Sequence, residues 1–224
     1  MSKDNEMIMC VDKGRLFLLD SPTAELVVKA TTAPGIANLH RRGDVETDTS
    51  LVQPIPYAVV IAPFGEDGEA KVLMYKRSSK GGETRLQDKY SIGIGGHING
   101  IDVENYFASP TEDSPCSACL FRELFEELGV DELNCEAVML SETPIYDDSE
   151  AVSAVHIGLL YTVILADVPN INVEDAITSV EWVAIPDLAP GTERFEKLEG
   201  WSKYAAELLV NSLENASAEE DSEE

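Results

Sequence analysis

An α/β fold is predicted by three observations. Short β-branched or apolar runs recur along the chain between glycine-rich or acidic turns, an amphipathic helix lies among them in "CLFRELFEELGV" at 119–130, and a second, "WSKYAAELLVNSL" at 201–213, closes the pattern. In order, "MIMCVDKGRLFLL" at 7–19 reads as a strand with a hairpin around Asp12 to Gly14, and "SPTAELVVKATTAPG" at 21–35 as a short helix ended by Pro34 and Gly35. "YAVVIAPF" and "KVLMYKR", joined by "GEDGEA", read as a hairpin, and "KYSIGIGGHI" at 89–98 as a strand entering a glycine turn. Beyond the acidic helix, "CEAVMLSE", "AVHIGLLYTVILA" and "ITSVEWVAI" are strand-like. No internal repeat is evident.

The chain has 224 residues, 44% of them hydrophobic, enough to bury one substantial core. One domain is therefore expected: residues 1–50 as an N-terminal elaboration, 51–213 as the main body, and 214–224 as a disordered acidic tail that holds no apolar residue larger than alanine. The net charge is −26, which repels nucleic acid and anionic membranes and excludes a general nucleic-acid binder. No apolar run follows the basic residue of "MSKDNEMIMC", and the longest one, "IGLLYTVILA", is too short to span a bilayer, so a cytoplasmic protein is expected. Four cysteines, at 10, 116, 119 and 135, suit reduced thiols; the CxxC of Cys116 and Cys119 has no second pair to complete a zinc site.

The acidic helix poses the functional question. At 100° per residue, Leu120, Phe121, Leu124, Phe125 and Leu128 fall on one face, and Glu123, Glu126 and Glu127 gather opposite them at i, i+3 and i+4. Carboxylates this crowded disfavour one another's ionisation unless a cation is bound, and hard oxygen donors suit magnesium or manganese. Arg122, four residues before Glu126, is spaced to pair with it. Three glutamates on a helix are ordinarily a solvated face, but that account leaves the glycine turn unexplained.

Arg122 to Val130, "RELFEELGV", resembles the second half of the Nudix box, Gx5Ex7REUxEExGU, at every defined position. Taking Gly96 as the opening glycine puts Asp102 at the position of the first glutamate and leaves 19 residues before Arg122, a 12-residue insertion. "SVEWVAIPDL" at 179–188 resembles the strand and turn that often follow the box, and "YSIGIGGHI" with a late "WS" resembles a bacterial and archaeal subgroup.

The resemblance implies an α/β/α sandwich around a mixed β-sheet, with 51–213 as a Nudix-like catalytic domain. It also implies hydrolysis of a nucleoside diphosphate linked to another moiety, with Mg2+ (Mn2+ substituting) held by Glu123, Glu126, Glu127 and a backbone carbonyl near Gly96, and Arg122 completing the box. The general base comes from the box or from a later loop, where Glu142, Asp147, Asp148 and Glu150 are candidates. The expected partner is a small-molecule diphosphate, and a homodimer is compatible with the family.

Outside the box, Lys76, Arg77, Lys80, Arg85 and Lys89 place five of the 16 basic residues within 14 positions, a phosphate clamp or a solvated loop, with Arg77 and Arg85 the proposed contacts. His97 either donates to a phosphate oxygen or satisfies a turn carbonyl. Trp182 is expected in the core. In the insertion, "VENYFASPTEDSP", Tyr106 and Phe107 either pack a loop down or form a wall of the substrate pocket. Two other functions compete: a nucleotide-sensing module that has lost hydrolysis, favoured by Asp102 and the insertion, and a prenyl diphosphate isomerase, which would want a cysteine near the glycine turn.

Overall fold

The computed structural model describes residues 3–18, 21–64, 69–77, 89–108, 113–149, 153–168, 171 and 177–223, with side chains for all of these except Arg77, Thr178 and 216–223. In chain order the elements are β1 (Met7–Asp12), α1 (Lys13–Leu16), α2 (Ala24–Thr32), β2 (Ala37–Arg41), α3 (Arg42–Val45), β3 (Leu51–Phe64), β4 (Glu69–Arg77), β5 (Tyr90–Ser91) and β6 (Gly93–Gly95). There follow α4 (Gly100–Ala108), α5 (Pro115–Leu128), β7 (Cys135–Met139), β8 (His156–Leu165), β9 (Ile177–Ala184), α6 (Glu193–Lys197) and α7 (Gly200–Glu223). This is the α/β composition the sequence predicts.

The chain divides into two compact units that do not follow chain order. The first comprises Met1–Ala58, Gly95–Phe125 and Ser141–Tyr161; the second comprises Val59–Ile94, Glu126–Leu140 and Thr162–Glu224. The N-terminal 50 residues thus share a unit with the glycine turn and the first part of α5.

In the first unit, β1 lies antiparallel to β2 from Met7 opposite Arg41 to Val11 opposite Ala37, and its end pairs with the start of β3. Ile8, Cys10 and Val45 form a small core with Leu51 against it. The expected hairpin at Asp12 to Gly14 is instead a helical turn, α1, because the Asp12 carboxylate accepts from the Arg15 backbone N–H at 2.8 Å and caps it. α2 forms as predicted: Thr23 caps it by accepting from Leu26 N, and the chain leaves it through Pro34 and a left-handed Gly35.

The insertion departs furthest from the sequence reading. Its first part is a helix, α4, not a loop. Asn99 Oδ1 accepts from the Ile101 and Asp102 N–H groups at 2.9 and 3.3 Å, and Asp102 Oδ2 accepts from Asn99 N at 2.8 Å, a reciprocal cap. Phe107 is 74% exposed and meets Tyr106 edge-on at 5.0 Å, so the aromatic pair packs on itself. Residues 109–112 lie outside the described residues.

In the second unit, β3 and β4 form the predicted hairpin, Ile61 opposite Val72 through Phe64 opposite Glu69; β5 pairs further along that same side of β4, and β9 lines its other side. Val72, Leu73, Met74 and Tyr75 are all buried, the pattern of an inner strand covered on both faces. Trp182, expected in the core, is half-buried beside Phe64. The two subgroup-like motifs meet here: Ser202 Oγ lies 3.2 Å from Ser91 Oγ and accepts from Ile92 N at 3.0 Å, and both hydroxyls reach Glu199. The helix α7 continues past Leu213 to Glu223, and residues 214–223 contain no glycine or proline to stop it. No helix among the described residues is long and apolar enough to cross a membrane.

Burial settles the thiols. Cys10, Cys116 and Cys119 are free and buried, and Cys135 is half-buried. Burial pushes the Cys10 and Cys116 thiols up to about 12, and Cys119 is raised well above its ordinary value by burial and by Asp102 and Glu123. The CxxC pair is therefore a packing feature. Native protein treated with iodoacetamide should be alkylated at Cys135 alone, and at all four cysteines after denaturation, as read by peptide mass spectrometry. Native labelling at Cys116 or Cys119 would reopen a redox or metal role.

Candidate active site

Ser114 opens α5: its Oγ accepts from Ser117 N at 3.2 Å, and Pro115 occupies the first turn, where no N–H is needed. The buried stripe is Cys116, Cys119, Leu120, Leu124 and Leu128. Phe121 is half-buried and Phe125 is 63% exposed, so the apolar face predicted from the sequence is rotated toward the two cysteines. Of the acids, Glu123 and Glu127 are half-buried and Glu126 is exposed.

Arg122 is the hub of the first unit. Its Nε donates to Asp102 Oδ1 at 2.7 Å and its Nη2 to Asp102 Oδ2 at 3.0 Å, a bidentate pair in which the Asp102 side chain has no solvent exposure. Nη2 also donates to the His97 carbonyl at 3.1 Å, and Nη1 to Glu123 Oε1 at 2.8 Å. Burial alone would lower the pKa of Arg122, but the bond to Asp102 and the neighbouring Glu123 charge more than offset it, and the guanidinium stays charged. The residue at the position of the first box glutamate is thus an aspartate, shortened by one methylene, and it reaches Arg122 because α4 carries it there.

The glycine turn lies against these groups. A Cβ on Gly95 would overlap the Pro56 backbone carbonyl, so that position demands glycine, and a Cβ on Gly96 would displace the Glu123 carboxylate from its present seat. The Gly96 carbonyl accepts from Cys119 Sγ at 3.5 Å. A cysteine does therefore lie beside the turn, but it has no solvent exposure and its thiol is held protonated.

His97 is half-buried, its ring edge-on to His156 at 5.5 Å, and its Nε2 lies 2.8 Å from Gln53 Oε1. Burial first, then the charges of Arg42, His156 and Lys3, hold it down to about 3, so the ring is neutral. Its Nε2 is thereby committed to Gln53 and not to a turn carbonyl. The side chain of Arg77, at the end of β4, and all of Lys80, Arg85 and Glu150 lie outside the described residues. Lys76 is half-buried and Lys89 exposed. Glu142, Asp147 and Asp148 are exposed; the Ser149 hydroxyl first, then the Ser149 N–H at 2.9 Å, lower the pKa of Asp147 and weaken it as a base. The loop that bears them is tied to the N-terminal segment by Ala24 N donating to the Glu142 carbonyl at 2.8 Å and by Tyr146, which meets Phe17 at 4.9 Å under Lys13.

The donor chemistry fits a hard divalent ion. Three carboxylates stand on α5 at i, i+3 and i+4, a carbonyl precedes them at Gly96, and the space in which Glu123 lies against Gly96 is one that a Cβ would fill. Among the described residues, no three His, Cys, Asp or Glu side chains converge tightly enough to hold an ion as they stand. Glu123 is turned onto Arg122.

An α/β chain with a glycine turn, a charge-buried arginine and an acidic helix of this pattern has the fold of the Nudix hydrolases. Its fold is that of Tm1382, a proposed Nudix hydrolase, at a TM-score of 0.60 and 24% identity over 92% of this chain and 99% of that one. Protein YmaB of Bacillus subtilis (strain 168) is 32% identical over 218 residues, covering 93% of this chain and the whole of YmaB, and the two belong to one family. A Nudix hydrolase from Alicyclobacillus acidocaldarius aligns at a TM-score of 0.49, with 13% identity over 71% of this chain. No family model matches the chain.

Three contributors were not read from the sequence: Asn99, Gln53 and Cys119. The "NGID" of Asn99 to Asp102 is a capping signature that would have revealed the first; the others are visible only in three dimensions. Removal of one member of a buried ion pair strands the other, so Asp102→Ala should lower unfolding free energy by about 3 kcal/mol or more in urea titrations, and Asp102→Asn, which keeps the acceptor, by less. A loss below about 1 kcal/mol for Asp102→Ala would show that the pair is not structural.

Proposed function

We propose that the chain hydrolyses the diphosphate linkage of a nucleoside diphosphate joined to a second moiety, using water and a magnesium ion for which manganese substitutes. The observation that carries this reading is Glu123 seated against Gly96 and tethered to Arg122, at the head of the Glu126 and Glu127 turn of α5. Glu123, Glu126, Glu127 and the Gly96 carbonyl would hold the ion. When bound it neutralises phosphate charge and acidifies water. The chain's own residues do the rest. Arg122 neutralises Asp102 and fixes the His97 carbonyl, so the peptide that precedes it is fixed before substrate arrives. Arg77 and Arg85 take phosphate oxygens that remain charged through the reaction. His97, with Nε2 given to Gln53, acts on substrate through the placement of its turn.

An isomerase of prenyl diphosphates would need Cys119 in an ionisable, accessible state, and burial denies both. Incubation with nucleotide sugars, dinucleoside polyphosphates, nucleoside triphosphates and prenyl diphosphates plus magnesium, with product identification, tests the reading: two phosphorylated products from a nucleoside diphosphate derivative support it. Glu126→Gln and Glu127→Gln should each cut turnover at least about a hundredfold with the melting temperature preserved. Near-wild-type turnover in both would remove the metal assignment. If Arg85 grips phosphate, Arg85→Ala should raise KM by about tenfold or more, the scale of a charged hydrogen bond; an unchanged KM would make the basic segment a solvated loop.

A further inference from the structure

Gln53 has no role in the reading above, yet it is the polar residue of β3 with 1% exposure, set in a run of buried apolar neighbours from Val52 to Val60. Burying an amide in such surroundings is costly by about 1–3 kcal/mol unless its groups are paired. They are paired in one specific way. Nε2 donates to the Val45 carbonyl of α3 at 3.3 Å, which leaves Oε1 to accept from His97 Nε2–H at 2.8 Å. The amide orientation and the histidine tautomer are therefore fixed together.

His97 is held at its other end as well. Its carbonyl accepts from Arg122 Nη2, while Arg122 Nη1 holds Glu123. An unbroken series of hydrogen bonds thus runs from the N-terminal segment at Val45 through Gln53, His97 and Arg122 to Glu123, all within the first unit. The peptide that His97 shares with Gly96 adjoins both tethers; the Gly96 carbonyl is a proposed ligand, and the missing Cβ of Gly96 makes room for Glu123. We propose that Gln53 is a positioning residue for the metal-binding turn, and that the N-terminal elaboration sets the placement of Gly96 and Glu123 through it. This rests on the metal reading above, and deepens it: residues 1–50 act on the site without touching substrate. Removing the amide frees the imidazole to rotate, and the turn then has only its Arg122 tether.

Mn2+ binding, followed by electron paramagnetic resonance on the full chain without substrate, tests the proposal. Gln53→Met keeps the volume of the side chain and removes both hydrogen bonds; His97→Phe keeps a ring and cuts the same link from its half-buried end. Each should weaken Mn2+ binding about tenfold, the scale of outer groups that orient metal ligands. The double variant should be no weaker than either single one, because both break one link. A residue that mattered only for packing would lower the melting temperature and leave Mn2+ affinity alone. If both single variants bind Mn2+ as tightly as the wild type while Glu126→Gln binds it more weakly, Gln53 is structural and the proposal falls. If Glu126→Gln itself binds like the wild type, the metal reading falls and this inference with it. Should Gln53→Met not fold, His97→Phe decides alone, and unchanged affinity there overturns the proposal.

Discussion

The bidentate pair of Asp102 and Arg122 is the interaction on which the first unit depends. Taking both charges out of water costs several kcal/mol, which mutual attraction offsets only when the remaining lone pairs and N–H groups are also used. Here they are. Asp102 Oδ2 takes the Asn99 N–H as well as Arg122, and the guanidinium spends its other donors on His97 O and Glu123. The pair ties the first turn of α4 to the middle of α5, with the glycine turn clasped between, so the fold and the candidate site share the same hydrogen bonds.

That arrangement also explains why an aspartate suffices where the family pattern has a glutamate. The N-terminal cap of α4 draws the residue at its third position back toward Asn99, and the shorter side chain completes the cap while facing Arg122. The insertion is in this sense part of the box. The N-terminal segment braces the same unit from other directions: Met9 N donates to the Ile98 carbonyl at 2.7 Å, Ala24 N to Glu142, and Gln53 to Val45.

What the sequence revealed follows from which forces are local. Strands β3, β4, β8 and β9 and helices α2, α5 and α7 are legible because apolar periodicity and end signals lie within each segment. The α1 turn was misread because Asp12 followed by Lys and Gly suits a hairpin as well as a cap, and tertiary pairing of β1 with both β2 and β3 decided the matter. Phe125 was misplaced since two cysteines, not two phenylalanines, complete the buried stripe of α5. The glutamates and Gly96 were proposed from the resemblance to the box, whereas Gln53 and Cys119 could not be: each acquires its meaning from a partner at least 23 residues away.

A double-mutant cycle on stability, with Asp102→Ala, Arg122→Ala and both together, tests the central claim most directly. If the pair organises the unit, the two losses are strongly non-additive, and the double variant is more stable than their sum predicts by about 1.5 kcal/mol or more. Additivity within about 0.5 kcal/mol would mean that the two residues contribute independently, and that the turn, α4 and α5 are held together by something else.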